Sequence, residues 1–137
     1  MPRFRPDIGF NQNTMKSLLI VAHGSRRETS NREVIDLASR VAQQPGHDFQ
    51  SVSAAFLEIA KPSIPDGLEC CVQQGASEVI IFPYFLAAGR HVVDDIPEEV
   101  AKVASKYPHV KFSIAGYLGM SEEIPRMILK SVNSQAQ

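Results

Sequence analysis

The sequence predicts a three-layer α/β domain in which helices cover both faces of a four-stranded parallel sheet. Two observations predict it. Short apolar runs alternate with helical patterns four times along the chain. Two of the runs, the first and the third, are apolar throughout, as expected of strands that are buried on both faces. With 137 residues, the chain has the length of one domain. We expect this domain at residues 16–133, between a flexible N-terminal tail at 1–15 and a C-terminal tail at 134–137.

The strands are expected at residues 17–22, 49–57, 78–82 and 110–114. The second and fourth strands contain polar positions, and the fourth carries Lys111, which suits the edge of a sheet. The order 2-1-3-4 places these two at the edges and is compatible with right-handed crossovers. In this order the direction of winding reverses between strands one and three, and the crevice outside their carboxyl ends is the expected ligand site.

Helix-start signals separate the strands. Ser30 begins a Ser-Asn-Arg-Glu capping box before the first helix, and Asp95 begins an Asp-Ile-Pro-Glu box before the third. The prolines within 62–65 suit the first turn of the second helix, where backbone amides lack helical partners. The fourth helix is expected to start near Ser121.

The composition excludes several classes of function. Hydrophobic residues make up 44% of the chain and the net charge is −1, with no block of charge that would favour nucleic acid or an anionic membrane. No apolar stretch is long enough to span a bilayer, and the N-terminal residues lack the apolar centre of a secretory signal. Cys70 and Cys71 are adjacent on a predicted helix, a geometry that disfavours a disulfide between them. We therefore expect a cytoplasmic protein.

Two histidines follow the ends of the two central strands. His23 comes directly after the first strand, and His91 follows the third after a short connection. Because both lie at the carboxyl edge of the sheet, we expect the rings at one crevice, where two neutral imidazoles would form a site for a first-row metal. The alternative is that His23 only ends a strand. His47 and His109 belong to the opposite edge and are predicted to be structural or merely exposed.

Polar residues adjoin these histidines in the sequence. Hydroxyl and guanidinium groups bind carboxylates, and glycine permits close approach of a ligand to the backbone. The residues predicted on this basis to bind the substrate are Ser25, Arg26, Arg27, Gly89 and Arg90. The alternative for the arginines is simple solvation.

Carboxylates near the histidines allow two interpretations. Glu58 follows the second strand at the same edge, where it would accept protons or complete a metal shell, or else be a solvated carboxylate. Asp94 is a candidate to orient the His91 imidazole. Asp95 is expected instead to be the N-cap of the third helix.

Three segments, in order, carry a resemblance to a known family. They are His23-Gly24-Ser25-Arg26, then Phe56-Leu57-Glu58 with Pro62-Ser63-Ile64, and then Pro83-Tyr84-Phe85-Leu86-Ala87-Ala88-Gly89-Arg90-His91-Val92 with Asp95-Ile96-Pro97. Together they resemble the small CbiX/SirB family of class II chelatases, which act on sirohydrochlorin. The resemblance extends over about residues 16–132.

The resemblance implies a chelatase-like (flavodoxin-like) fold and insertion of a divalent metal into sirohydrochlorin, without ATP or an organic cofactor. Cobalt leads toward cobalamin, ferrous iron toward sirohaem, and nickel toward a methanogen cofactor. It implies that His23 and His91 hold the incoming metal, that Glu58 assists, and that the protein is a homodimer. One departure is that many relatives have a further histidine after a Leu-Gly pair, whereas here Leu118-Gly119 is followed by Met120-Ser121.

Other functions remain open at this stage. One is a metal or tetrapyrrole carrier without turnover. Another is a phosphatase with His23 as nucleophile, although the arginine that precedes the histidine in histidine phosphatases is replaced here by Ala22. A flavodoxin-like signalling domain is disfavoured, because no acidic cluster or phosphate loop follows the first strand.

Overall fold

The computed structural model describes residues 14–135, with the Gln135 side chain excepted. The four strands are β1 (Lys16–Ala22), β2 (Ser51–Phe56), β3 (Glu78–Pro83) and β4 (Lys111–Ile114). The α-helices are α1 (Glu28–Ala42), α2 (Ile64–Gln73), α3 (Ile96–Ala104) and α4 (Ile124–Gln135). A π-helix at His91–Asp95 runs directly into α3, and a short 3-10 helix spans Leu118–Met120.

All strand pairs are parallel, and the order β2-β1-β3-β4 confirms the predicted topology. β1 is the most buried strand because it has a neighbour on each side and a helix layer on each face. β2 and β4 are the edges, as their polar positions predict. The predicted ends of the strands differ from the observed ones by two residues at most.

The two faces of the sheet are covered unequally. One face packs against α2 and α3 and buries a large cluster that includes Leu19, Ile81, Leu68 and Ile96. The other face packs against α1 and buries a smaller cluster centred on Ile20 and Ala38. In β3, which the sequence predicted to be buried throughout, alternate residues are only half-buried because this second face is incompletely covered.

The predicted capping box at Ser30 is wrong, because α1 begins two residues earlier, at Glu28. The backbone amide of Ser30 donates to the carbonyl of Arg27 at 3.0 Å, so it already lies within the first helical turn. The side chain of Asn31 is buried, and it bonds backward to Ser25: its Oδ1 accepts from the Ser25 amide at 2.9 Å and its Nδ2 donates to the Ser25 carbonyl at 2.7 Å. Asn31 thereby fixes the loop that follows His23.

The predicted N-cap at Asp95 is also wrong. The π-helix begins at His91, and Asp95 has α-helical dihedral angles and makes no capping hydrogen bond. The amide of Ile96 donates to the His91 carbonyl, so the π-helix already supplies a partner for the first amide of α3. The Asp95 carboxylate is therefore free to bind a side chain.

The apolar residues of α4 are largely exposed. Ile128, Leu129 and Val132 have exposed fractions of 57%, 63% and 57%. Near this helix, an apolar groove of about 430 Å³ lies between α1 and the second face of the sheet, and Met127 of α4 contributes to its lining. Such a patch on a single copy marks a surface that a partner can cover.

The predicted tails can be compared with the structure only in part. Most of the N-terminal segment 1–15 and the last residues of 134–137 lie outside the described residues. Across residues 14–135, the helices are too short or too polar to cross a bilayer. Both cysteines are free thiols. Cys71 is in the core, and burial raises the pKa of its thiol.

Candidate metal and tetrapyrrole site

The two predicted histidines meet at the carboxyl edge of the sheet. His23 directly follows β1, and His91 begins the π-helix that follows β3. Their ring centroids are 4.6 Å apart and the ring planes are inclined by 62°. The side chains are 45% and 41% exposed. The prediction that the two rings lie together at this edge is confirmed, and both rings are open to solvent.

Glu58 joins this pair from the loop that follows β2. Its Oε2 lies 2.6 Å from Nε2 of His23. Because an ionised carboxylate only accepts hydrogen bonds, this contact places the proton of a neutral His23 on Nε2. The Nδ1 lone pair of His23 has no hydrogen-bond partner within residues 14–135 and is available to a ligand.

Asp95 holds the second ring. Nδ1 of His91 lies 2.8 Å from Oδ2 of Asp95, four residues further along the same helical segment. By the same reasoning, the proton of a neutral His91 is on Nδ1, and Nε2 presents a lone pair. The sequence assigned this orienting role to Asp94, and that assignment is wrong: the π-helix places Asp95, not Asp94, against the ring.

The loop after β2 is packed closely against Gly24. Gly24 has a φ of +99°, and a Cβ placed on it would be 1.9 Å from the carbonyl oxygen of Glu58. The amide of Glu58 also donates to the carbonyl of His23 at 3.0 Å. Only glycine permits this contact, which fixes the backbone of Glu58 against the residue that its side chain binds.

Two ring nitrogens of the cluster are left without a hydrogen bond within the described residues. Residues 14–135 contain no group of three or more histidine, cysteine, aspartate or glutamate side chains arranged to hold a metal ion. His23 and His91 each present one ring nitrogen that has no hydrogen-bond partner in these residues. Imidazole suits iron, cobalt and nickel, and an ion with few protein ligands can be passed on.

Comparisons with known proteins identify the family of this chain. The sequence model of the CbiX family matches residues 17–135. The chain belongs to the CbiX family. A sirohydrochlorin ferrochelatase from Bacillus subtilis is 34% identical over 113 residues, which are 82% of this chain and 42% of that protein. A sirohydrochlorin cobaltochelatase from Saccharolobus islandicus is 29% identical over 125 residues, which are 87% of this chain and 94% of that protein.

A solved structure of a chelatase has a fold similar to that of this chain. The sirohydrochlorin chelatase SirB from Bacillus subtilis subspecies spizizenii, in complex with cobalt, has a TM-score of 0.80 and 30% identity to this chain, over 88% of this chain and 51% of SirB. The chain thus spans about half the length of several curated relatives that it matches, while the Saccharolobus relative has a similar length.

The residues predicted to bind the substrate flank the two histidines in the sequence. In the structure they differ in their local contacts. Arg26 and Arg90 are exposed and have no ion-pair partner in the described part of the chain. The Oγ of Ser25 accepts from the Arg27 amide at 3.0 Å, and Nε of Arg27 donates to Thr29 at 3.3 Å. A Cβ placed on Gly89 would have nothing within 4 Å, so no steric contact within residues 14–135 requires glycine at this position.

The remaining histidines take no part in the cluster. Both ring nitrogens of His47 are used locally: Nδ1 accepts from the Phe49 amide and Nε2 donates to the Ala42 carbonyl, each at 3.1 Å. His109 is exposed before β4, at the opposite edge of the sheet. Met120, which follows the Leu118-Gly119 pair, is 62% exposed.

Two residues of the site were missed by sequence reasoning. Asn31 was assigned to a capping box, and Asp95 to a helix N-cap. For Asp95 a signal was available, because a carboxylate four residues after a histidine faces it on a helix. For Asn31 no sequence signal distinguishes a side chain that caps its own helix from one that binds the preceding loop.

Proposed function

We propose that this protein inserts a divalent metal, cobalt or ferrous iron, into sirohydrochlorin without ATP. The observation that carries the proposal is the pair of imidazole rings with centroids 4.6 Å apart, each held by a carboxylate. The names of the relatives, which include both ferrochelatases and cobaltochelatases, support the substrate.

In the proposed reaction, the metal is a substrate that passes from protein nitrogens to ring nitrogens. Nδ1 of His23 and Nε2 of His91 bind the ion first, because their lone pairs are the free donors of the cluster. The tetrapyrrole then approaches the solvent-exposed side of the histidine pair, and its nitrogens replace the imidazoles one after another. Two protein ligands are enough to position the ion and few enough to release it.

Metallation also requires a proton acceptor. The ring loses two N–H protons for each divalent ion that it binds, so charge balances when two protons leave the site. Glu58 is suited to receive them in turn, since its carboxylate is 54% exposed and can pass each proton to solvent. Ser25, Arg26, Arg27, Gly89 and Arg90 are proposed to contact the carboxylate-rich rim of the substrate.

The protein is further proposed to act as a homodimer in the cytoplasm. The exposed apolar residues of α4 and the neighbouring groove give a second copy a surface to cover. The lengths of the relatives support this arrangement, because several contain about twice the length that this chain matches. A second copy would supply the equivalent of the additional half.

The reaction is tested by an anaerobic insertion assay with cobalt, ferrous iron and nickel in parallel, followed by the absorbance change of the metallated ring. Acceleration over the protein-free rate by at least one of these metals is expected. Binding of sirohydrochlorin and metal without acceleration would overturn the proposed reaction and support the carrier hypothesis.

The roles of the histidines are tested by His23→Ala and His91→Ala. Each is expected to abolish insertion while the melting temperature stays close to that of the unmodified protein, because both rings are partly exposed. His47→Ala is the matched control, since this ring lies outside the cluster. Full activity in both cluster variants would exclude the proposed metal site.

The dimer is tested by light scattering. Ile128→Glu places a charge in the exposed apolar part of α4 and is expected to give a monomer, whereas Lys130→Glu on the same helix is expected to leave the dimer intact. A monomeric unmodified protein would contradict the proposal.

A further inference from the structure

A concave site is lined in part by the segment that directly follows Glu58 in the chain. It is a cavity of about 310 Å³ between the start of α1 and the loop that follows β2. Arg32 and Lys61 line it together with the apolar side chains of Ile35 and Ile59. None of the sequence-predicted site residues lines this cavity.

The two cations in this cavity are unpaired within the part of the chain that the structure describes. Neither Arg32 nor Lys61 has an ion-pair partner in residues 14–135, whereas Lys102 and Lys106 each lie within 2.8 Å of a glutamate oxygen. Glu28 also lines the cavity, and its Oε1 accepts from Nδ2 of Asn31 at 3.4 Å. The charges of the lining residues therefore sum to one positive charge, which favours an anion.

The loop that forms one wall of the cavity is held in a strained conformation. The amide of Ala60 donates to the carbonyl of Glu58 at 2.8 Å, which closes a γ-turn around Ile59. Ile59 has a φ of 72°, and a β-branched residue rarely adopts a positive φ. Strain of this kind is retained where a site requires it. The turn leaves Ile59 58% exposed at the cavity, directly after the residue that binds His23.

We propose that this cavity binds a carboxylate-bearing arm of the tetrapyrrole whose centre lies at the two histidines. Arg32 and Lys61 neutralise the carboxylate, and Ile59 packs against the apolar edge of the ring. The inference rests on the proposed function and adds a subsite to it. Because the γ-turn joins Glu58 to Ile59, the subsite and the metal-binding cluster are positioned by one segment of backbone.

The subsite is tested by binding of metal-free sirohydrochlorin, measured by absorbance titration with Arg32→Gln, Lys61→Gln and the double variant. We expect each single variant to weaken binding about tenfold, as for loss of a charge-assisted hydrogen bond, and the double variant to weaken it further. Arg32→Lys should restore most of the affinity. Arg40→Gln is the control, because Arg40 is on the same helix, also has no ion-pair partner in the described residues, and lies outside the cavity.

Two further measurements separate this inference from the proposed function. Cobalt binding in the absence of the ring should be the same in all these variants, because the histidine cluster is unchanged. High salt should weaken ring binding by the unmodified protein more than binding by the double variant. If the unmodified protein binds and metallates the ring but the double variant binds it equally well, the subsite alone is excluded. If the unmodified protein does not bind the ring, the proposed function fails as well.

Discussion

Nδ1 of His91 lies 2.8 Å from Oδ2 of Asp95, and this contact exists because both residues belong to one π-helix at the mouth of the site. A histidine that donates one ring N–H to a carboxylate has its tautomer and ring orientation fixed, so that its other nitrogen can bind metal. Asp95 is thus a positioning residue that acts through His91.

Asp95→Ala is predicted to lower cobalt affinity about 10–100-fold, as is usual for loss of such a partner. Asp95→Asn should have a smaller effect, because its amide oxygen still accepts from Nδ1. Calorimetric titration with cobalt measures the affinity. The ¹⁵N shifts of the metal-free protein report the tautomer, which should change from Nδ1–H to a mixture in Asp95→Ala.

Asp94→Ala is the control for this prediction, since Asp94 is the adjacent carboxylate and makes no hydrogen bond to the ring. A loss of affinity in Asp94→Ala, with Asp95→Ala unchanged, would return the orienting role to Asp94. A tautomer that is the same in Asp95→Ala and the unmodified protein would show that the carboxylate does not position the ring.

Gly24→Ala is predicted to reduce both stability and metal insertion. Its Cβ would be 1.9 Å from the Glu58 carbonyl oxygen, and its φ of +99° disfavours a side chain. The Glu58 loop must move to relieve the contact, which separates the carboxylate from His23. Gly46→Ala is the matched control, because Gly46 has a φ of +90° with nothing within 4 Å of its Cβ position.

The two glycine variants separate backbone strain from steric displacement. Gly46→Ala should cost about 1 kcal/mol of unfolding free energy from its dihedral angle alone and leave insertion unchanged. Gly24→Ala should cost more. Urea unfolding and the insertion assay measure the two effects, and equal unfolding costs with unchanged insertion in both variants would contradict the prediction.

The sheet order and the meeting of the two histidines were predictable from the sequence because they follow from local patterns and handedness. The apolar run before His23 and the run preceding the connection to His91 mark central strands, and parallel central strands bring their carboxyl ends to one edge. The position of Glu58 beside His23 follows from the same argument, since β2 is the other neighbour of β1.

The partners of the site residues were less predictable because they depend on where a helix begins. If the third helix began at Asp95, this residue would be its N-cap. Because the π-helix begins at His91, Asp95 instead lies within the helical segment, and its side chain binds the His91 ring. The exposed face of α4 was not predictable either. Its apolar spacing is the same whether the helix packs on its own sheet or on a partner.

A charged contact between α2 and the segment that follows α3 predicts how stability depends on pH. Glu69 of α2 accepts from Tyr107 at 2.5 Å and pairs with Lys106 at 2.6 Å, and these two residues follow α3. The hydrogen bond from Lys106, and then that from Tyr107, lower the pKa of the Glu69 carboxyl below its ordinary value of 4.5. The ionised carboxylate therefore stabilises the folded state.

Since the folded-state pKa is the lower one, this stabilisation is fully present above about pH 4.5 and is lost as the pH falls through the folded-state value. Glu69→Gln is predicted to be less stable than the unmodified protein at neutral pH, and the difference should shrink as the solution is acidified below that point. Urea unfolding at a series of pH values measures it. Glu122→Gln, which removes an exposed carboxylate without an ion-pair partner in residues 14–135, should show no such trend. A Glu69→Gln difference that stays constant across the series would mean that the charge of the carboxylate contributes nothing to stability.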